Sequence, residues 1–253
     1  MRAERSLVNE PVPPLCMLDF DGDLSDRLAE EGRTSPVKSW ACFHTSMRAM
    51  TLNGVPCGIV PRTIGGPYAV LVAEQLWAAG AKVIVGITSA GRISSNLPLP
   101  SVVVVDEAVR DEGTSLHYVP PSATIVTPTP RLAELLTQEL GTVASHVRRG
   151  TAWTTDAPYR ETPDQLRLWA ERGVLVVEMQ AASLFAFARA RAANVAIVAL
   201  VSNGVDQVTG QFDTGGHAFR VDVLAAIARA AHLFMTPPTD QYTVEATRRQ
   251  PQD

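Results

Sequence analysis

Apolar positions along the chain fall into short runs separated by polar turns, and the spacing within the runs distinguishes strands from helices. After a proline-bearing lead, Leu15-Cys16-Met17-Leu18 forms a continuous apolar run ending in the acidic turn Asp19-Phe20-Asp21-Gly22-Asp23. Such a run predicts a short buried strand, followed by a short helix through Arg27 and Leu28. Met47 to Thr51 and Val55 to Val60 flank Asn53-Gly54. Asn-Gly tolerates the positive φ angles of a two-residue turn, so the segment predicts a hairpin. The hairpin leads into Gly65-Gly66-Pro67; Tyr68 to Ala79 then has a helical pattern, and Gly80 suits the left-handed position that ends it.

The alternation continues with the strand Val83-Ile84-Val85, a turn around Thr88-Ser89-Ala90-Gly91, and a second buried strand from Val102 to Val105. Helices are predicted over Arg131 to Leu140, Ala181 to Ala192 and Phe219 to Phe234, and strands over Val174 to Val177 and Val195 to Val201. Strands that alternate with helices predict an α/β fold, with a largely parallel or mixed sheet covered by helices. The domain is expected to span residues 15–235. Residues 1–14 form a lead, and residues 236–253 (PTDQYTVEATRRQPQD after Thr236-Pro237) a polar tail predicted to be mobile.

At 253 residues, with 46% hydrophobic and 19% charged positions, the chain suits one large domain with a sizeable core. Its formal charge of −4 leaves no positive excess to neutralise a nucleic-acid backbone, so the expected partner is a small molecule. Cys16, Cys42 and Cys57 form an odd set without a CxxC spacing, which suggests buried thiols and neither a disulfide framework nor a zinc site. The longest apolar stretch, Val195 to Val201, is too short to cross a bilayer, and the first residues contain no apolar run of the signal-peptide kind. A cytoplasmic protein without a metal is therefore expected.

Several polar groups fall where ligands gather. Gly65-Gly66-Pro67, between a strand and a helix, can bring backbone N–H groups close to a bound group, or can be only a tight connection. Thr88-Ser89-Ala90-Gly91 can offer hydroxyls and amides to an anion, or can be a small-residue turn. Glu178-Met179-Gln180 and Asn203 follow apolar strands, at the carboxyl edge where α/β sheets bind ligands; a helix-start cluster and a turn cap are the plainer alternatives. Asp156, Tyr159 and Arg160 lie in the polar stretch TTDAPYRET, read as a solvated loop.

Read in order, these segments resemble one family. GIVPRTIGGPYAVLVAEQL, AKVIVGITSAGRI, RDEGTSLHY, TTDAPYRET, VEMQAASLF and ALVSNGVD follow the order of the nucleoside phosphorylases, most closely the uridine phosphorylase branch, over about residues 15 to 234. The resemblance implies a single α/β domain with a central mixed sheet, assembled as a hexamer or trimer. It also implies pentosyl transfer in which inorganic phosphate, with no organic cofactor, attacks the anomeric carbon of a nucleoside. It places Met179 against the sugar and position 180 on the ribose hydroxyls, with Gln180 and Asn203 as the catalytic candidates. Gly65, Gly66, Ser89, Ala90, Gly91 and Glu178 join the substrate site, and the loop of Asp156, Tyr159 and Arg160 faces the base.

The sequence departs from that pattern where charge matters. In the gapless stretch Ala81 to Ile93, the family's phosphate-binding arginine is Gly86 and a usual hydroxyl is Ala90. The early Gly-Asp-Pro-x-Arg element survives only as Gly22-Asp23-Leu24-Ser25-Asp26-Arg27, and no arginine falls near Ala41 to His44. Gly22, Arg27 and Arg92 are the phosphate candidates, with Arg48 and Arg62 as further substitutes. Gln180 stands where the family has Glu, which removes a charge that would stabilise a cationic sugar. Three readings follow: a uridine phosphorylase-type pentosyltransferase; a nucleoside hydrolase in which Asp19, Asp21 or Asp23 activates water; and a repurposed member, such as a biosynthetic cyclase or isomerase on a non-nucleoside ligand, or a catalytically silent binding protein.

Overall fold

The computed structural model describes residues 12–37, 44–203 and 216–236. Cys42, most of the Ala41 to His44 stretch, the lead before Val12 and the tail after Thr236 lie outside the described residues. The strands are β1 (Leu15–Asp19), β2 (Ser35–Pro36), β3 (Arg48–Leu52), β4 (Val55–Pro61), β5 (Val83–Ser89), β6 (Gly91–Arg92), β7 (Ser101–Asp111), β8 (Thr124–Val126), β9 (Val147–Thr155), β10 (Val176–Glu178) and β11 (Val195–Val201). The helices are α1 (Asp23–Glu30), α2 (Gly66–Ala78), α3 (Pro130–Leu140), α4 (Pro163–Glu171), α5 (Ala181–Arg191) and α6 (His217–Met235).

One mixed sheet has the order β2-β3-β4-β1-β5-β11-β7-β9-β10-β6, with β8 paired to β7. β4, β1, β5 and β11 run parallel, while β7 is antiparallel to β11 and leads a second parallel set with β9 and β10. The sheet's last member, β6, follows β5 after only Ala90 and pairs antiparallel with β10. The far edge therefore curls back onto the carboxyl end of β5. Hydrogen bonds from the N–H of Ala90 to the Leu200 carbonyl (3.1 Å) and from the N–H of Arg92 to the Asn203 carbonyl (3.0 Å) hold the closure.

Strand alternation sorts side chains into two cores. From β1, Cys16, Leu18 and Phe20 point to the layer of α2 and α5, while Leu15 and Met17 point to α1, α3 and α6. β11 is buried along its whole length, as the unbroken run Val195–Val201 requires of a strand covered on both faces. A third, smaller cluster packs Val109, Trp153, Val174 and Val177 against Leu166 and Trp169 of α4. Arg149 of β9 makes a two-pronged ion pair with Asp106 (2.8–3.0 Å) beside the bulge that interrupts the β7–β9 register.

The predicted elements form, joined by α4, β2, β6 and β8, which were not predicted, and three stretches differ from their reading. The 83–85 strand runs on to Ser89, so Thr88 and Ser89 belong to a strand end and not to a turn. The 102–105 run is the first half of a strand that continues through polar residues to Asp111. Thr154 and Thr155, read as loop, complete the buried end of β9, a strand that the mixed composition of VRRGTAWTT conceals. Asn53 and Gly54 do adopt positive φ (50° and 78°), and Gly80 ends α2 at φ 97°. Cys16 and Cys57 are buried free thiols, both pushed up by desolvation. No helix among the described residues is long and apolar enough to cross a membrane.

Leu224 lies wholly buried where α6 meets the sheet and α3. Leu224→Ala is expected to cost about 2–5 kcal/mol through lost burial and a residual cavity. A calorimetric scan would then show Tm lower by roughly 5–15 °C in a chain of this size.

Candidate active site

β1, β5 and β11 end side by side at Asp19, Ser89 and Val201, so their polar successors gather at one edge. The returning β10 brings Glu178, Met179 and Gln180 to the same place. Gln180 is buried, and its Oε1 accepts from the N–H of Met179 (3.2 Å) and lies 3.5 Å from the Thr88 hydroxyl. The Thr88 hydroxyl also donates to the Ser89 carbonyl at 2.7 Å. Met179 is half-buried beside them. Asn203 joins through its backbone, which ties it to Arg92. Thr88, Ser89, Ala90, Gly91, Gln180 and Asn203 thus form one group.

Glu178 is tied to the chain itself. Its carboxylate accepts from the Thr154 hydroxyl at 2.5 Å and from the N–H groups of Gln180 (2.7 Å) and Ala181 (2.9 Å). The last two are orphan donors at the start of α5, so Glu178 fixes the angle at which that helix leaves the strand. Burial pushes its carboxyl up to about 7, against the pull of these three donors, with the nearby Glu112 adding to the rise.

A second group flanks the same helix start. A Cβ on Gly66 would collide with the Ser183 hydroxyl and approach Thr114 Oγ1 to 3.3 Å, so only glycine lets the start of α2 approach α5 this closely. The Ser183 hydroxyl donates to Glu112 (2.5 Å), which also accepts from the N–H of Ser115 (3.0 Å). Gly65, at φ 85°, is the residue that precedes α2. Asp156 accepts from the N–H of Gly113 (2.9 Å) and lines a cavity of about 730 Å³ with Thr114, His117 and residues of α2. Tyr159 and Arg160, in a short 3-10 turn, are exposed, Tyr159 fully.

The arginine candidates are held by the chain's own acceptors. Arg27 pairs with Glu31 (3.1 Å), Arg48 bonds Thr34 (2.6 and 3.0 Å), and Arg62 pairs with Asp26 while lying over Gly22. Arg92 reaches the Leu97 carbonyl at 3.4 Å. At Gly86 a Cβ would meet Phe20 Cζ at 2.6 Å and Ile197 Cδ1 at 2.7 Å, so apolar packing occupies the space a side chain would need there.

The acidic turn after β1 supplies what motif reading passed over. Asp21 accepts from both the N–H (3.2 Å) and the hydroxyl (3.1 Å) of Ser89. Asp19, buried below it, accepts from the N–H (2.8 Å) and hydroxyl (2.7 Å) of Ser25. Desolvation raises both carboxyls from their usual value, Asp19 in the interior and Asp21 at the exposed rim of the turn. Arg220 of α6 is 6% exposed and grips Asp23 with both terminal nitrogens (2.5 and 2.8 Å); this bond holds the Asp23 carboxyl below its usual range. Its sequence signal was slight: it is one of three charges, with Asp222 and Arg229, among the apolar positions of HAFRVDVLAAIARA.

The chain matches the phosphorylase superfamily over residues 17–235. It is 27% identical over 156 residues to a guanosine phosphorylase from Halorubrum lacusprofundi, an alignment covering 60% of this chain and 63% of that protein. It is 26% identical over 202 residues to the uridine phosphorylase of Klebsiella aerogenes, covering 72% and 79% of the two chains. The crystal structure of uridine phosphorylase from Vibrio fischeri has the same fold, with a TM-score of 0.74 at 21% identity over 87% of this chain and 93% of that one.

Two outcomes follow from this geometry. Gly86→Arg is expected to destabilise the fold by roughly 1–3 kcal/mol or more through overpacking. Adding Phe20→Ala should recover part of that loss, a coupling that a double-mutant cycle in urea would detect. Glu178 holds its proton to about pH 7 when folded but loses it near 4.5 when unfolded, so its contribution is complete below pH 4.5 and lost as pH rises through 7. Glu178→Gln should therefore flatten the decline in urea-unfolding stability between those values, by roughly 3 kcal/mol.

Proposed function

Since the chain belongs to the phosphorylase superfamily, with uridine phosphorylases among its relatives, we propose that it cleaves the N-glycosidic bond of a nucleoside by pentosyl transfer at the edge formed by β5, β10 and β11. The observation that carries this reading is the convergence of Thr88, Ser89, Gln180 and the backbone of Asn203 from three separate chain segments. Hydroxyl, carboxamide and backbone groups gathered there suit a polyhydroxylated sugar, and the half-buried Met179 gives its ring an apolar contact. Inorganic phosphate is the co-substrate this reading considers; it invokes no organic cofactor. Glu178 acts by positioning Gln180, through the bond it accepts from that residue's N–H.

A second reading, a repurposed pocket that isomerises or cyclises a non-nucleoside ligand, is favoured by Gln180. A carboxylate about 6 Å from a developing oxocarbenium would stabilise it by roughly 3 kcal/mol at an effective dielectric near 20. Gln forfeits that stabilisation, equivalent to about a hundredfold in rate.

We also propose that the chain is a homo-oligomer, a hexamer or trimer, acting in the cytoplasm. The 730 Å³ cavity on the outer side of α2 supports assembly: Leu71 lines it and Leu116 lies on its adjoining turn, both exposed (41% and 53%). Light scattering at micromolar concentration is expected to give a multiple of 27.2 kDa, and a monomer would oppose it.

The catalytic reading is tested by following base release from uridine, inosine, guanosine and adenosine by chromatography. Gln180→Glu, whose carboxylate can accept from the same Met179 N–H, is expected to raise turnover by about a hundredfold. Silence of both proteins on all four nucleosides would favour the non-nucleoside ligand.

A further inference from the structure

Gln180 is only 1% exposed, and a carboxamide so enclosed needs acceptors for its nitrogen as well as a donor for its oxygen. The chain provides for the oxygen alone. Oε1 accepts from the N–H of Met179 at 3.2 Å and lies 3.5 Å from the Thr88 hydroxyl. The amide cannot be turned over, because the Met179 N–H would then face the Nε2 hydrogens, donor against donor. Nε2 therefore points away from Met179 and Thr88, and it donates to no group among the described residues.

The carboxylate nearest in sequence offers it nothing: Glu178 Oε1 is engaged by the Thr154 hydroxyl, and Oε2 by the N–H groups of Gln180 and Ala181. A ligand at this edge thus meets a pair of N–H hydrogens, and these call for an oxygen with free lone pairs. A carboxylate at position 180 would ask for the opposite, since it accepts and never donates. A ribose hydroxyl suits the carboxylate better, because its proton then has an acceptor. An ether oxygen suits the carboxamide, having lone pairs and no proton to place. Met179, half-buried and next in the chain, gives an alkyl group on that oxygen a soft apolar surface.

We propose that Gln180, through Nε2, sets the sugar specificity of this site toward O-alkylated pentosides, that is, nucleosides in which a ribose hydroxyl has become a methyl ether. The inference rests on the sugar position of the reading above and is independent of the base. Nε2 donates to the ether oxygen, and the methyl group lies on Met179. Unmodified ribose binds less well, by about 10- to 100-fold, because a hydroxyl proton enclosed beside the N–H pair is left without an acceptor. Discrimination of this kind comes from the unpaired polar group in the wrong ligand more than from added contact with the right one.

The test compares uridine, inosine, guanosine and adenosine with their 2′-O-methyl and 3′-O-methyl forms, using the full chain. Calorimetric titration gives Kd, and chromatography of base release gives kcat/KM. The native chain is expected to bind one methyl ether series about 10- to 100-fold more tightly than the unmodified nucleosides, and Gln180→Glu to reverse that order. Gln180→Met, which keeps the length and removes the donor, should bring the ratio of Kd values close to one, and serves where the buried carboxylate prevents folding. Tighter or equal binding of the unmodified nucleosides by the native chain, or a ratio that neither substitution moves, would overturn the inference and leave glycosidic cleavage standing. An ether preference in Kd without base release from any nucleoside would uphold the specificity and sink the cleavage reading alone. Binding of none of them would sink both.

Discussion

Closure of the sheet through β6 governs everything at the site. Ala90 alone separates β5 from the two residues that pair with β10, so the edge carrying Glu178 and Gln180 returns to the strand end carrying Thr88 and Ser89. Without that return, β10 would sit at the far side of the sheet, beyond β11, β7 and β9. The bonds from Ala90 to Leu200 and from Arg92 to Asn203 fasten the third segment to the same junction. Ala90 and Gly91, both buried, carry the chain out of one ladder and into the other.

From that junction the electrostatics follow. Glu178 is wholly enclosed, yet its donors orient it to fix the helix start instead of a ligand. Gln180 is consequently the polar side chain that β10 presents near Thr88, and it is neutral. On the opposite side of Ser89 stands a cluster of carboxyl groups, where phosphate transfer would call for cations. The carboxyl groups at this edge oppose the binding of a dianion. Fold and charge are set separately in this chain: the backbone aligns it with the phosphorylase superfamily, while the acidic turn after β1 sets the charge at this edge.

Arginine was the residue type on which the sequence was least informative. Arg27, Arg48, Arg62 and Arg92 are all close in sequence to the expected anion site, and each is held by an acceptor of its own. Arg220, nearly two hundred positions from the acidic turn, reaches Asp23 because α6 packs beside α1 in one core. Long flexible side chains take whichever partner the packed elements bring within reach, and local spacing does not encode that choice.

Apolar periodicity by itself determined the α/β class, the positions of β1, β4, β11 and the major helices, and the Asn53-Gly54 hairpin, because burial and turn chemistry act over a few residues. The family motifs marked Thr88 to Gly91, Glu178 to Gln180 and Asn203. Tertiary structure alone decided the rest: that β7 opposes β11, that β9 hides in a mixed sequence, that Glu178 turns inward, and that Asp21 fills the donors of Ser89. Each of these depends on contacts between segments far apart in the chain, where pairing and desolvation energies are set by packing and not by neighbours in sequence.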